Sequence, residues 1–138
     1  MLQKIFGRFS GYSIIVLRVA LGVIFIAHGG QKLFGWWGGS GLNGFADSLG
    51  QGGMPYPMLM ATLAASAEFF GGIMVLFGIF ARWGALFILC VMLVAIATVH
   101  AKNGFFLHNR GYEYNLALIA MSLAILFAGS GKWSVKQG

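Results

Sequence analysis

Leu63-Ala64-Ala65-Ser66-Ala67-Glu68-Phe69-Phe70-Gly71-Gly72-Ile73-Met74-Val75-Leu76-Phe77-Gly78-Ile79-Phe80 is the stretch that decides the fold. It is apolar enough to cross a bilayer, yet it carries one acid, Glu68, near its middle. Insertion scales put the cost of a charged side chain at that depth at about 2.5–3.5 kcal/mol, so such a group turns toward protein or a water-filled cavity and takes a partner. The partner of Glu68 is therefore the question around which the chain is read.

Composition agrees with a membrane setting. The chain has 138 residues, 59% of them hydrophobic and 9% charged, against about 25% charged in a soluble domain. So short a soluble chain could not bury that much apolar surface. The net charge of +6 would suggest nucleic acid in a soluble protein. Here the Lys and Arg residues are scattered without a basic run, which excludes a nucleic-acid arm and fits anchors at membrane edges. A single cysteine, Cys90, precludes an internal disulfide and a CxxC redox pair. Within its apolar run it reads as a small packed hydrophobe.

Three further apolar segments accompany the first. Residues 12–34 form segment one, and Arg18, Gly22, Phe25, His28, Gly29 and Lys32 fall on one broad helical face that must turn inward. Gly22 and Gly29 permit a neighbouring helix to come close. Lys4 and Arg8 ahead of this run imitate a signal peptide, but the run is too long and holds Arg18, so it is expected to be retained. The loop after it contains Trp36 and Trp37, interface residues, and Leu42, Phe45 and Leu49 beside Asn43, Asp47 and Ser48. That pattern predicts a short amphipathic helix on the membrane surface. Segment two covers residues 58–80, with Pro57 able to open it. Ala61, Ala65, Glu68 and Gly72 make a small-residue packing face. Segments three and four cover residues 83–101 and 112–128. Glu113, Ala117, Ala120, Ala124 and Ala128 form a second small-residue stripe, which could serve the bundle or a homo-oligomer. Thr98 and His100 lie about 200° apart on an α-helix, so they can share a cavity only if the helix end unwinds.

The expected fold is all-α: one domain over residues 1–138, an integral membrane four-helix transmembrane bundle with a short amphipathic interfacial helix in the first loop. Lys4, Arg8, Arg82, Lys132 and Lys136 lie on one side, against Lys32, Lys102 and Arg110 on the other. The positive-inside rule then puts both termini in the cytoplasm of a multi-pass protein of the bacterial inner membrane.

The buried polar residues allow several chemistries. Arg18 falls about 7 Å to the terminal side of Glu68 by helix rise, so an Arg18–Glu68 ion pair is expected, acting either in catalysis or only to fix helix register. Glu68 and Glu113 with His28 and His100 could instead form a proton path or ligand pocket. A metal site is not expected, because the Glu-x-x-His pattern of bundle carboxylate sites is absent.

Leu17-Arg18-Val19-Ala20-Leu21-Gly22 followed by His28-Gly29-Gly30-Gln31-Lys32-Leu33-Phe34-Gly35 resembles the opening of the DoxX family of small bacterial membrane proteins. Ala67-Glu68-Phe69-Phe70-Gly71-Gly72 resembles its second-helix motif. Thr98-Val99-His100, Asn103-Gly104-Phe105-Phe106 and Gly111-Tyr112-Glu113-Tyr114 resemble its third and fourth. The resemblance implies a membrane subunit of a quinone-linked oxidoreductase system, in sulfur-compound oxidation or oxidative-stress defence. It marks Glu68, Arg18 and His28 as catalytic candidates and Lys32, His100, Tyr112 and Glu113 as ligand-binding candidates. No intrinsic cofactor is expected; quinone is the implied acceptor, and a soluble redox protein the implied partner. The alternative is a non-enzymatic transporter of a small molecule, or a membrane scaffold, whose internal polar residues bind solute or fix helix packing.

Overall fold

The computed structural model describes residues 1–136. A helical lead-in, Leu2–Phe6 and a tighter stretch Gly7–Tyr12, runs into α1, Ser13–Phe34. The first loop contains α2, Gly41–Gln51, then come α3, Pro57–Phe77, α4, Ala81–Ala95, and α5, Glu113–Ala128. Pro57 opens α3 as expected, since its missing N–H falls where a helix has no internal acceptor. α1 and α3, and the continuous helical run Ala81–Asn103 that begins with α4, are each long and apolar enough to cross a membrane. α5 is apolar but only 16 residues long, about 24 Å.

The short connections make neighbours antiparallel, and α1 packs closely on α3. A Cβ on Gly22 would lie 2.7 Å from the Leu76 side chain, and one on Gly29 would lie 2.5 Å from the Phe69 backbone. Both contacts are too short for any side chain, so the two glycines let the backbones meet. Ala61, Ala65, Glu68 and Gly72 are all buried, as their spacing predicted. The core joins Leu21 and Phe25 of α1 to Val75, Ala85, Ile88, Leu118 and Ile125.

α2 is the short amphipathic helix expected from its pattern. Ala46 is buried, Leu42, Phe45 and Leu49 are half-buried, and Asn43, Asp47 and Ser48 are exposed.

On α5 the inward face is Asn115, Leu118, Ser122 and Ile125, while Ala117, Ala120 and Ala128 are exposed and Ala124 is half-buried, so of the two uses expected for the alanine stripe the bundle does not take it up. The reason is polarity: Ser122 turns in and donates to the Leu118 carbonyl at 2.8 Å, whereas alanine carries no polar group to hide. Cys90 is exposed rather than packed.

Beyond Ala95 the helix widens. Ile96–His100 forms a π turn, and Ala101–Asn103 tightens into a 3-10 turn. A π turn inserts an extra residue into the ladder and shifts side-chain directions beyond it. This unwinding is the condition under which Thr98 and His100 can face one cavity, and both do.

Candidate functional site: a paired acid between an apolar groove and a polar chamber

The antiparallel register decides which cation Glu68 meets. Gly22 lies against Leu76 and Gly29 against Phe69, so Glu68 stands level with Gly30, and Arg18 stands beyond the end of α3. Twelve residues of helix, about 18 Å, separate the two levels. The Arg18–Glu68 pair expected from the sequence is therefore not formed. Glu68 Oε1 instead accepts a hydrogen bond from Lys32 Nζ at 2.6 Å, with the glutamate side chain 1% exposed and the lysine 30%. A 4.8 Å approach to the Phe45 ring of α2 holds the other flank of the ammonium.

Arg18 has a different task. Its Nε donates to the Val75 carbonyl at 3.0 Å, Nη1 to those of Ser130 and Lys132, and Nη2 to those of Leu76 and Trp133. A guanidinium has five N–H groups, and all five are used. Val75 and Leu76 are among the last carbonyls of α3, the negative end of its dipole. Gly78 follows with φ 68°, and a Cβ there would lie 2.5 Å from Arg18 Nη2, so glycine both makes the turn and leaves room for the cation. Arg18 thus ties the end of α3 to the C-terminal segment and has no donor left for a ligand.

Glu68 is the opposite case. Its Oε2 is buried and has no hydrogen-bond partner among the described residues. Buried polar atoms are almost always paired, and an orphan asks for an explanation. Two cavities meet at this residue. The larger, about 740 Å³, is a groove between α3 and α4 that α2 closes at one end. Its walls are Phe45 and Leu49 of α2, Leu63, Ala67 and Phe70 of α3, and Phe87, Cys90, Val91 and Val94 of α4, with Thr98 and His100 from the π turn. The smaller, about 200 Å³, lies inside the bundle. Its lining is far more polar: His28, Lys32, Glu68, His100, Tyr114 and Asn115, with Ile24, Phe25, Met92 and Leu118 as its apolar part. Lys32, Glu68 and His100 line both spaces.

Of the residues the sequence pointed to, the fold brings Glu68, Lys32, His28 and His100 together. His28 and Lys32 are one helical turn apart on α1. His100 has its Nδ1 at 2.8 Å from the Arg110 carbonyl; a carbonyl only accepts, so Nδ1 carries the proton and Nε2 is free to exchange one. Tyr112 and Glu113 line neither space. Glu113 Oε1 accepts the Leu107 N–H at 3.0 Å, and Tyr112 stacks edge-on against Phe105. Both hold the 104–111 loop in place. Asn115 and Tyr114 were not singled out by the sequence reading. The signal for Asn115 was its place in the i, i+3, i+7, i+10 face with Leu118, Ser122 and Ile125. Among the described residues no three His, Cys, Asp or Glu side chains converge as a metal site would need.

The DoxX family profile matches residues 13–101, which takes in α1 to α4 and the π turn. The chain belongs to the DoxX family. Lys32, Glu68, His28 and His100 lie within the matched span, whereas Tyr112, Glu113 and Asn115 lie outside it. This DoxX protein is 32% identical over 111 residues to a Bacillus subtilis protein named "Putative oxidoreductase CatD", covering 80% of this chain and 76% of that one. It is 25% identical to the Escherichia coli "Inner membrane protein YqjF", covering 94% of each. An uncharacterized Haemophilus influenzae protein is 28% identical, over 96% of this chain and 86% of its own. No solved structure matches this DoxX protein.

Proposed function

We propose that this membrane protein is the quinone-binding subunit of an oxidoreductase system, with the ring of a quinone or quinol in the α3–α4 groove and its polar head at Lys32 and Glu68. The observation that carries the reading is the orphaned Glu68 Oε2 beside a groove whose lining is mostly apolar and aromatic, with Lys32, Ser66, Thr98 and His100 as its other polar residues. Pockets of about 300–1,000 Å³ with few polar groups are the usual form of a small-molecule site. The polar groups suit this ligand. A quinol hydroxyl can donate to Oε2, and a quinone carbonyl can accept from Lys32 Nζ, which keeps N–H groups beyond the one given to Glu68. Conversion between quinone and quinol moves two electrons and two protons. Glu68 is placed to take or give a proton at the head, with His28 and His100 behind it as general acid–base groups. The electrons pass to or from a soluble redox partner protein. The CatD name lends support to the oxidoreductase class.

In the same reading α5, with the flanking residues that lengthen it, crosses the bilayer as a fourth span. Both termini face the cytoplasm, since five of the Lys and Arg residues lie on that side. The protein sits in the bacterial inner membrane, as the YqjF name supports. α2 then lies in the outer interface.

The test is saturable binding of a short-chain quinol to the purified full-length protein, read as thermal stabilisation and by titration. We expect binding that Glu68→Gln weakens at least tenfold while the variant stays folded and monodisperse. Binding unaffected by Glu68→Gln, or stabilisation by unrelated small solutes and by no quinone or quinol, would overturn the reading in favour of transport or scaffolding.

A further inference from the structure

The smaller cavity gives Glu68 a second neighbour that a ligand-binding groove alone does not need. It adjoins Glu68 from among α1, α4 and α5 and has room for several water molecules. It also has the polar partners that buried water requires: His28, Tyr114, Asn115 and His100. At one end it reaches Leu107 and Gly111 of the loop before α5. That loop is held by backbone hydrogen bonds from Gly111 N to Phe106 O at 2.9 Å and from Tyr112 N to Gly104 O at 3.1 Å. Toward the chain termini the bundle is closed. Leu21, Val75, Ile88 and Ile125 are fully buried and packed together, and one helical turn nearer the N-terminus Arg18 is buried with every donor satisfied.

We propose that the small cavity is a water-filled proton chamber that connects Glu68 to the loop side of the membrane only, so that a proton shared with the groove ligand exchanges with one face of the bilayer. The identity of that ligand as a quinol rests on the function proposed above; the chamber and its sidedness do not. A proton leaving a quinol hydroxyl passes to Glu68 Oε2, then to chamber water and out past His28 or His100; uptake runs the same steps backwards. The charged and titratable groups facing Glu68 are Lys32 and His28 from α1, His100 from the end of α4, and Tyr114 from α5. Cys90 of α4 faces it across the groove. α2 brings Phe45 but no charge, because Asp47 is exposed on its far side.

The experiment uses the full-length protein reconstituted in vesicles, in a Cys90→Ser background, with orientation scored by protease access to a terminal tag. Single cysteines are placed at two chamber positions, Ile24→Cys and Leu118→Cys, and at one core position, Leu21→Cys. The probe is a cationic, membrane-impermeant methanethiosulfonate. Expected is reaction at the chamber cysteines at least tenfold faster than at the core cysteine, with the reagent on the loop side only. Equal rates at all three positions, or reaction from the terminal side, would overturn the proposal. Ile24 is only half-buried, so Ile24→Cys decides the matter if Leu118→Cys does not fold. A second readout varies the pH on each side separately during quinol titration. Affinity should change at least tenfold with loop-side pH and not with the other; a response to terminal-side pH overturns the proposal. Absence of any quinol binding would sink the function proposed above and leave the labelling result to decide the chamber.

Discussion

Arg18 and Glu68 are both buried charges in apolar helices, and they are finished to different degrees. The guanidinium has five donors and five backbone carbonyls. The carboxylate has one oxygen on Lys32 and one with no partner among the described residues. A fully satisfied buried charge has no capacity left for chemistry and acts as a tie between segments. A half-satisfied one is tolerated only where something else can complete it, and Glu68 adjoins two cavities. Counting donors and acceptors around each charge, rather than noting burial alone, tells the structural group from the reactive one.

The sharpest way to break this contrast is at Arg18. Arg18→Met removes five hydrogen bonds, leaving only the Val75 carbonyl with a second donor, Gly78 N–H, and hydrogen bonds to charged groups are worth about 1.5–3 kcal/mol each. We expect little folded protein, seen as loss of the monodisperse peak in size exclusion. Arg18→Lys should not restore it, because an ammonium has three donors and no planar fork. A well-folded Arg18→Met would remove the distinction drawn here. Next comes the pair itself. Lys32→Met strands the buried carboxylate and should cost about 3–5 kcal/mol. Combined with Glu68→Gln it should cost clearly less than the two separate losses added together, a double-mutant cycle read by thermal denaturation. Strict additivity would mean that the 2.6 Å contact carries no coupling. Glu113→Gln keeps an acceptor for the Leu107 N–H and should change stability by under about 1 kcal/mol with no change in quinol affinity; lost affinity would return Glu113 to the site. The smallest effect is expected from Phe45→Ala, about 0.5–1 kcal/mol from the lost cation–π contact, measured as a modest drop in melting temperature.

Much of the fold was legible because the rules behind it are local. Segment lengths gave the long spans, the Leu42, Phe45 and Leu49 spacing gave α2, and the cost of burying charge picked out Glu68, His28 and Lys32. What was not legible was register. Helix rise along each segment puts Arg18 about 7 Å from the level of Glu68 and so within reach, but it carries no information on how the two helices slide against each other. Close packing at Gly22 and Gly29 slides α1 along α3 and gives Glu68 to Lys32 instead. On α5 residue size alone leaves the alanine stripe open to the bundle or to a second copy, and polarity decides the inward face, because Asn115 and Ser122 carry polar groups that must be hidden. Tyr112 and Glu113 stand at the same end of the bundle as His28 and His100, which made them candidates along with the resemblance, but their hydrogen-bonded and stacked neighbours are parts of the loop.

The π turn at Ile96–His100 has a consequence for comparing this chain with its relatives. It makes residue count, and not only residue identity, part of the site. Losing one residue between 96 and 100 would restore α geometry and swing His100 by about 100° around the axis, out of the wall that it shares with Glu68. An alignment gap of one at this point is therefore not a neutral difference in loop length. A relative that has the same histidine but lacks the extra residue would present it to a different space.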